Sequence, residues 1–346
     1  LVSLPPQSRA PVITVMTYNV YYGADLARVL NAPSADQVPL AVAETWDVVN
    51  QTFFPARAEV LADEIAAAAP HAVGLQEVAL WRTGPPDSCA GALAPNAEDV
   101  AYDFLAILLE ALSARGVEYQ VAAVQPTYDF ELCSAAGEDV RITDRDVVLV
   151  RSGVPFRNAG SHVFSAEVTA SFPISDTGIT VPAPRAWNSV EVEAGGRWVR
   201  FVEAHIEDYL PLPDPYPPYA LQVGQALELL ASLAALEPLP TILAGDFNTA
   251  VLTDPTYPVL VGMVDLGGFS SPFRDAWTRL KPVDPGYTWG FDELLLGGAL
   301  VQRLDLVLAT PELKPTGTKR VGVSALDAFG RHPSDHTGLV TAFAVP

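Results

Sequence analysis

The sequence holds only two cysteines, Cys89 and Cys133, and no CxxC spacing, which excludes a cysteine-ligated metal cluster. It holds three lysines, Lys281, Lys314 and Lys319, and none sits in a basic cluster. A protein that tracks a nucleic-acid backbone usually carries a basic stripe, because contacted phosphates release their counterions. With 20 basic against 41 acidic side chains and a net charge of −21, extended nucleic-acid binding is disfavoured. Long apolar runs are missing too. Pro, Gly or a charge interrupts each candidate, including Ile65–Ala69 and Val147–Val150, before the roughly 18 residues that a membrane span needs. There is no internal repeat and no charge block.

What is present is core material. The 346 residues are 49% hydrophobic and include fourteen Phe, eleven Tyr and six Trp, which excludes a disordered or fibrous chain. Apolar segments of strand length alternate with a few helical ones, and Pro-rich connectors fall inside that pattern, so one domain over residues 10–346 is expected. Strands are predicted at Val12–Val20, Ala72–Val78, Val117–Val124, Asp146–Arg151, Trp187–Glu193, Arg197–Ile206, Thr241–Gly245, Arg303–Ala309 and Gly338–Val345. Helices are predicted at Arg57–Ala69, Asp99–Arg115 and Leu221–Leu236. Long loop insertions are expected near 31–55, 82–96, 208–219 and 253–285, as lids, substrate walls or decoration.

Polar residues interrupt the strands at their ends. Asn19 closes VITVMTYNV, Glu77 closes AVGLQEV, His205 closes the strand in WVRFVEAHIE, and Asp246 with Asn248 follows TILAG. Asp305 opens a strand in RLDLVLA, while Asp335 and His336 lie just before the last one. In sheets with antiparallel neighbours, the ends of some strands and the starts of others share one rim. Singly, each residue has a modest explanation as a turn former or ion-pair partner. Together they do not, because burying so many polar groups costs about several kcal/mol per unpaired ion unless a metal or their own partners compensate.

The segments MTYNV, GLQEV, EAHIE, GDFN, RLD and SDH, running from Met16 to His336, resemble the endonuclease/exonuclease/phosphatase superfamily. That group includes pancreatic-type deoxyribonuclease, abasic-site endonucleases, inositol polyphosphate 5-phosphatases and bacterial neutral sphingomyelinases. The resemblance implies a four-layered α/β sandwich, two mixed β-sheets packed face to face with helices outside. It implies that Asn19 and Glu77 hold a divalent cation with Asp335 nearby, and that Asp246 and Asn248 orient the phosphate, the attacking water or a second cation. All-oxygen ligation suits Mg²⁺, with Mn²⁺ or Ca²⁺ as alternatives. His205 and His336 would flank the phosphorus, one serving the water and the other the leaving oxygen. Asp305 would fix the tautomer of His336, and Asp144 or Asp146 could do so for His205.

Other candidates stay open at this level. Arg185, in PRAW, is either a phosphate contact or a surface arginine stacked on Trp187; Trp289, in GYTWG, is either a substrate wall or a structural tryptophan. Asp25 either touches the metal region or caps the next helix. His71 and His162 are expected to be structural or solvated, and His332 to border the site without a role.

The expected activity is a divalent-metal-dependent phosphodiesterase acting by in-line attack of water. The acidic surface favours a lipid or small-molecule phosphodiester, as in the sphingomyelinase branch, with transient contact at a membrane surface; a deoxyribonuclease-like nuclease is the alternative. A catalytically silent binding module on the same fold is the reading from another class. The opening at Leu1 rather than Met suggests processing, which favours a secreted or periplasmic protein, and a monomer is expected. There the two cysteines would form one disulfide; otherwise they are unrelated small hydrophobes.

Overall fold

The computed structural model describes residues 10–86, 95–208, 219–251, 253–265, 268 and 270–346. Its strands are β1 (Val12–Asn19), β2 (Ala72–Gln76), β3 (Leu80–Gly84), β4 (Asp99–Asp103), β5 (Tyr119–Cys133), β6 (Asp139–Arg151), β7 (Phe156–Val163), β8 (Ala170–Pro173) and β9 (Thr180–Ala183). They continue with β10 (Ala186–Ala194), β11 (Arg197–His205), β12 (Thr241–Asp246), β13 (Arg274–Asp275), β14 (Trp289–Phe291), β15 (Gly298–Gln302), β16 (Asp305–Ala309), β17 (Lys314–Val321) and β18 (Gly338–Ala344). The helices are α1 (Ala27–Leu30), α2 (Val38–Thr52), α3 (Phe54–Ala68), α4 (Phe104–Ala114), α5 (Ala220–Ala234), α6 (Thr256–Leu260) and α7 (Ala276–Leu280).

One sheet runs β17-β18-β1-β2-β6-β3-β4, with β5 also paired to β6; the second runs β13-β16-β12-β11-β10-β7. Both are mixed. β1 is parallel to β2 and antiparallel to β18, while β11 is parallel to β12, which is antiparallel to β16. Their inner faces meet in an apolar seam: Ile13, Val15, Val148 and Val150 from the first sheet pack with Val190, Val199, Phe201, Ile242 and Val307 from the second. Helices cover both outer faces. Leu61, Ile65, Leu108 and Leu112 of α3 and α4 pack on Met16, Leu75 and Leu149, whereas Leu229, Leu230 and Leu233 of α5 pack on Val202, Leu243 and Leu306. Four layers follow from strands that are apolar on both faces; each large aliphatic side chain so buried contributes roughly 1.5–3 kcal/mol.

One carboxylate lies inside the seam. Glu203 of β11 is fully buried and accepts hydrogen bonds from Gln76 Nε2 of β2 and Asn188 Nδ2 of β10, both at 2.8 Å. Gly74 makes room for it, since a Cβ there would stand 2.5 Å from Glu203 Cγ.

Two expectations are corrected. Residues 31–55 are not one long insertion, because α2 occupies most of them. Val38, Ala41, Val42, Thr45, Val49 and Thr52 form a buried stripe at helical spacing, and Pro39 falls in the first turn, where a proline costs nothing. The helix expected from Asp99 begins only at Phe104. Residues 99–103 instead pair with β3, and the Asp103 carboxylate accepts from the N–H groups of Leu105 and Ala106 as an N-cap. Near 253–285 the connector contains α6 and α7; the insertions near 82–96 and 208–219 lie largely outside the described residues.

Candidate active site

Sheet topology brings the polar strand ends to one rim. In register, Asn19 faces Gln76, His205 faces Asp246, and Asp246 faces Asp305, so the C-terminal ends of β1, β2, β11 and β12 meet the start of β16. Asp335 and His336 arrive there just before β18, which runs antiparallel to β1. Backbone strain gathers at the same rim. Tyr21, Glu77 and Asn248 all have positive φ (60°, 60° and 45°), conformations that non-glycine residues hold only where the surroundings impose them.

Asp246 is the centre. Its Oδ2 accepts from Asn19 Nδ2 at 3.0 Å and lies 3.7 Å from His336 Nε2 and 4.0 Å from His205 Nε2, while its Oδ1 accepts from the Asn248 N–H at 2.9 Å. Asn248 in turn donates its side-chain amide to the Ile206 carbonyl, tying the end of β12 to the end of β11. Asn19 Nδ2 also donates to Glu77 Oε1 at 2.9 Å, and Glu77 Oε2 accepts from the Tyr22 N–H. Asp335 Oδ2 accepts from the Trp289 indole N–H at 3.2 Å, and Ser334 Oγ donates to the Asn19 carbonyl at 2.7 Å.

The two histidines have opposite surroundings. His336 Nδ1 lies 2.8 Å from Asp305 Oδ2. Burial pulls its pKa down, but Asp305, Asp335 and Asp246 outweigh burial and hold it well above the usual value. His205 is pushed down to about 4, first by burial and then by the Arg185 guanidinium. Arg185 Nη1 stands 3.0 Å from His205 Nε2 and 3.4 Å from Nδ1, so the guanidinium lies against the imidazole. Nδ1 is 3.4 Å from Asp146 Oδ1. Asp144 accepts from the Thr127 hydroxyl through one oxygen, and Asp144, Asp146 and His205 bring ligand atoms within 4.8 Å of one another. Burial, and then the Asp144 charge, raise the Asp146 pKa well above the ordinary range.

The site is short of positive charge. Glu77 is raised well above the carboxylate range by desolvation and then by repulsion from Asp335, which desolvation also raises. Asp305 Oδ1 is buried without a hydrogen-bond partner. Oxygen donors from Glu77, Asp335 and the Asn19 carboxamide, with unrelieved negative charge between them, fit a hard divalent cation. The Asp246–Asp305–His336 group, with ligand atoms within 4.8 Å of one another, fits one as well.

All eight residues expected at the rim are there. Arg185 is nearly buried, and its Nη2 is held by Glu207 Oε1 at 3.0 Å; Trp187 stacks on His162 rather than on it. Trp289 is half-buried, with its indole N–H committed to Asp335. Asp25 accepts from the Ala27 N–H two residues on, in the turn that leads into α1, whose N-cap is Leu26. His71 Nδ1 accepts from the Thr14 N–H, and His332 stacks on Phe291 at 3.6 Å. Glu207 and Ser334 stand inside the segments EAHIE and SDH but were given no role there, and Arg57 was read only as the start of a helix.

A sandwich with this rim belongs to the metal-dependent phosphoesterases. The chain is a member of the Endonuclease/Exonuclease/phosphatase family, whose sequence pattern covers residues 16–336, and it is accordingly a metal-dependent hydrolase of phosphoric esters. Its fold is similar to that of an endonuclease/exonuclease/phosphatase family protein from Leptotrichia buccalis (TM-score 0.56, 15% identity, covering 96% of this chain and 99% of that one). It is similar to one from Bacteroides thetaiotaomicron (TM-score 0.54, 17%, covering 97% and 99%). D. rerio TDP2, solved with a single-strand DNA product, is also similar (TM-score 0.54, 17%, covering 96% and 98%). No curated protein sequence matches significantly.

Proposed function

We propose that this hydrolase is an exported phosphodiesterase that cuts a small or lipid-borne phosphodiester by direct attack of water. The observation that carries the reading is the position of Asp246, within 4.0 Å of both imidazoles and hydrogen-bonded to the Asn19 amide beside Glu77. In this reading Glu77, Asp335 and Asn19 hold the cation, which when bound neutralises charge on the nonbridging phosphate oxygens. His205, uncharged at neutral pH, takes the proton of the attacking water; His336, cationic beside Asp305, gives its proton to the leaving oxygen as the phosphorus–oxygen bond breaks. Asp246 and Asn248 orient the water and the phosphate. Arg185 exchanges its contact with His205 for the incoming phosphate.

The substrate class rests on charge. With three lysines and a net charge of −21, the chain offers little to follow a polyanionic backbone, whereas one phosphate needs only the cation and Arg185. Export rests on the cysteines: Cys133 carries no free thiol, and Cys89 lies outside the described residues. A nuclease reading draws on the fold shared with TDP2. A panel of bis-p-nitrophenyl phosphate, sphingomyelin vesicles, plasmid and single-stranded DNA, each with Mg²⁺, Mn²⁺ or Ca²⁺ and with chelator, tests the proposal. Cation-dependent cleavage of the small diester or the lipid supports it; cleavage of DNA alone replaces it with the nuclease.

A further inference from the structure

Arg57, on α3, is fully buried, and its four hydrogen bonds all go to backbone carbonyl oxygens. Nη1 donates to Val20 and to Pro333, both at 2.7 Å; Nη2 donates to Tyr21 at 3.1 Å and Nε to Thr52 at 3.1 Å. The guanidinium lies among the rings of Phe54, Phe104 and Tyr21, 4.9, 5.7 and 5.8 Å from their centroids. Taking a cation out of water in this way costs several kcal/mol, roughly, and core packing alone would be served as well by a methionine.

The identity of the carbonyls explains the arginine. Val20 and Tyr21 follow Asn19 directly, and the Tyr21 N–H donates to Asn19 Oδ1 at 2.9 Å. Pro333 precedes Ser334, Asp335 and His336. Ser334 Oγ closes the circuit from the other side by donating to the Asn19 carbonyl. One planar fork thus grips both chain segments that deliver metal-site and imidazole groups, beyond the point where the register between β1 and β18 ends at Thr17 and Leu339.

We propose that Arg57 is a positioning residue that sets the spacing between Asn19 and the Asp335–His336 pair, and with it the affinity of the site for its divalent cation. This rests on the proposed assignment of Asn19 and Asp335 to the cation. Lysine preserves the charge and has three N–H donors, but all on one nitrogen, so it cannot reproduce the separate Nη1, Nη2 and Nε contacts to Val20, Pro333, Tyr21 and Thr52.

The test compares the intact chain with Arg57→Lys and Arg57→Gln. Mn²⁺ affinity is read by calorimetry, kcat and KM by hydrolysis of bis-p-nitrophenyl phosphate, and folding by melting. The expected result is a folded Arg57→Lys whose Mn²⁺ dissociation constant rises on the order of 10–100-fold, with a fall in kcat and little change in KM. A combined Arg57→Lys/Ser334→Ala chain should lose less affinity than the sum of the two single losses, since both hold the same junction. Wild-type Mn²⁺ affinity in a folded Arg57→Lys overturns the proposal. Failure of both variants to fold overturns it too, by assigning the guanidinium to the core. If the intact chain binds Mn²⁺ yet cleaves no phosphodiester, the functional reading falls while the affinity comparison still decides the role of Arg57.

Discussion

His205 and His336 both approach one carboxylate oxygen, at 4.0 and 3.7 Å from Asp246 Oδ2, and their neighbours shift them in opposite directions. His336 is surrounded by Asp305, Asp335 and Asp246, which hold its pKa up; His205 is pushed down first by burial and then by the guanidinium against its ring. In the proposed mechanism two residues of one type act as acid and base because Arg185 stands against His205 and offsets the carboxylates near it, while among the described residues no guanidinium offsets those around His336. Their order in the chain has no part in it.

The largest way to break that contrast is at Asp305. Asp305→Asn removes the charge that holds His336 protonated, and kcat should fall by about 10²-fold or more, as should that of His336→Ala, in steady-state assays at saturating cation. Next is the cation itself. Glu77→Gln should weaken Mg²⁺ binding by about 10-fold or more in calorimetry, and unchanged affinity would remove Glu77 from the ligand set. A smaller effect is expected at Arg185. Arg185→Met relieves the repulsion that helps hold the His205 pKa down, so the acid limb of the kcat/KM profile should move to higher pH; an unmoved limb would separate His205 from that limb. The smallest effect is on stability. The native His205 pKa, about 4, lies below the ordinary 6.5, so the unfolded chain binds this proton first. Its contribution is complete above pH 6.5 and is lost as pH falls toward 4. His336 has the opposite sign: its contribution is complete below pH 6.5 and is lost as pH rises through its raised value. His205→Gln should therefore flatten the urea-stability profile between pH 4 and 6.5, and His336→Gln should flatten it above 6.5.

The rim residues were legible in the sequence because each sits where an apolar strand stops or starts, and a mixed sheet has few places for such residues to gather. The helices on the outer faces were legible where their stripes were aliphatic, as at Leu61 and Ile65. Helix α2 was not, since Thr45 and Thr52 break its apolar stripe and Pro39 resembles a loop marker. The partners of the site residues were invisible for another reason. Glu207 holds Arg185 across 22 positions, and Arg57 reaches Pro333 across 276, contacts that follow from packing and leave no local spacing to read. Asp144 and Asp146 stand two positions apart on β6 and both come within reach of His205, so the sequence had no basis for choosing between them.

The Glu203 carboxylate between the sheets bears on how the two halves of the rim keep their distance. Asn19 and Glu77 come from one sheet, His205 and Asp246 from the other, and greasy contacts between Val, Ile and Phe tolerate sliding far better than directional bonds do. A slip of one sheet along the other would strand Glu203 away from Gln76 and drive it out of the notch at Gly74. The interior thus indexes the sheets like a dowel in a joint, and an Ala at position 74 would be felt as a misaligned mouth at the surface.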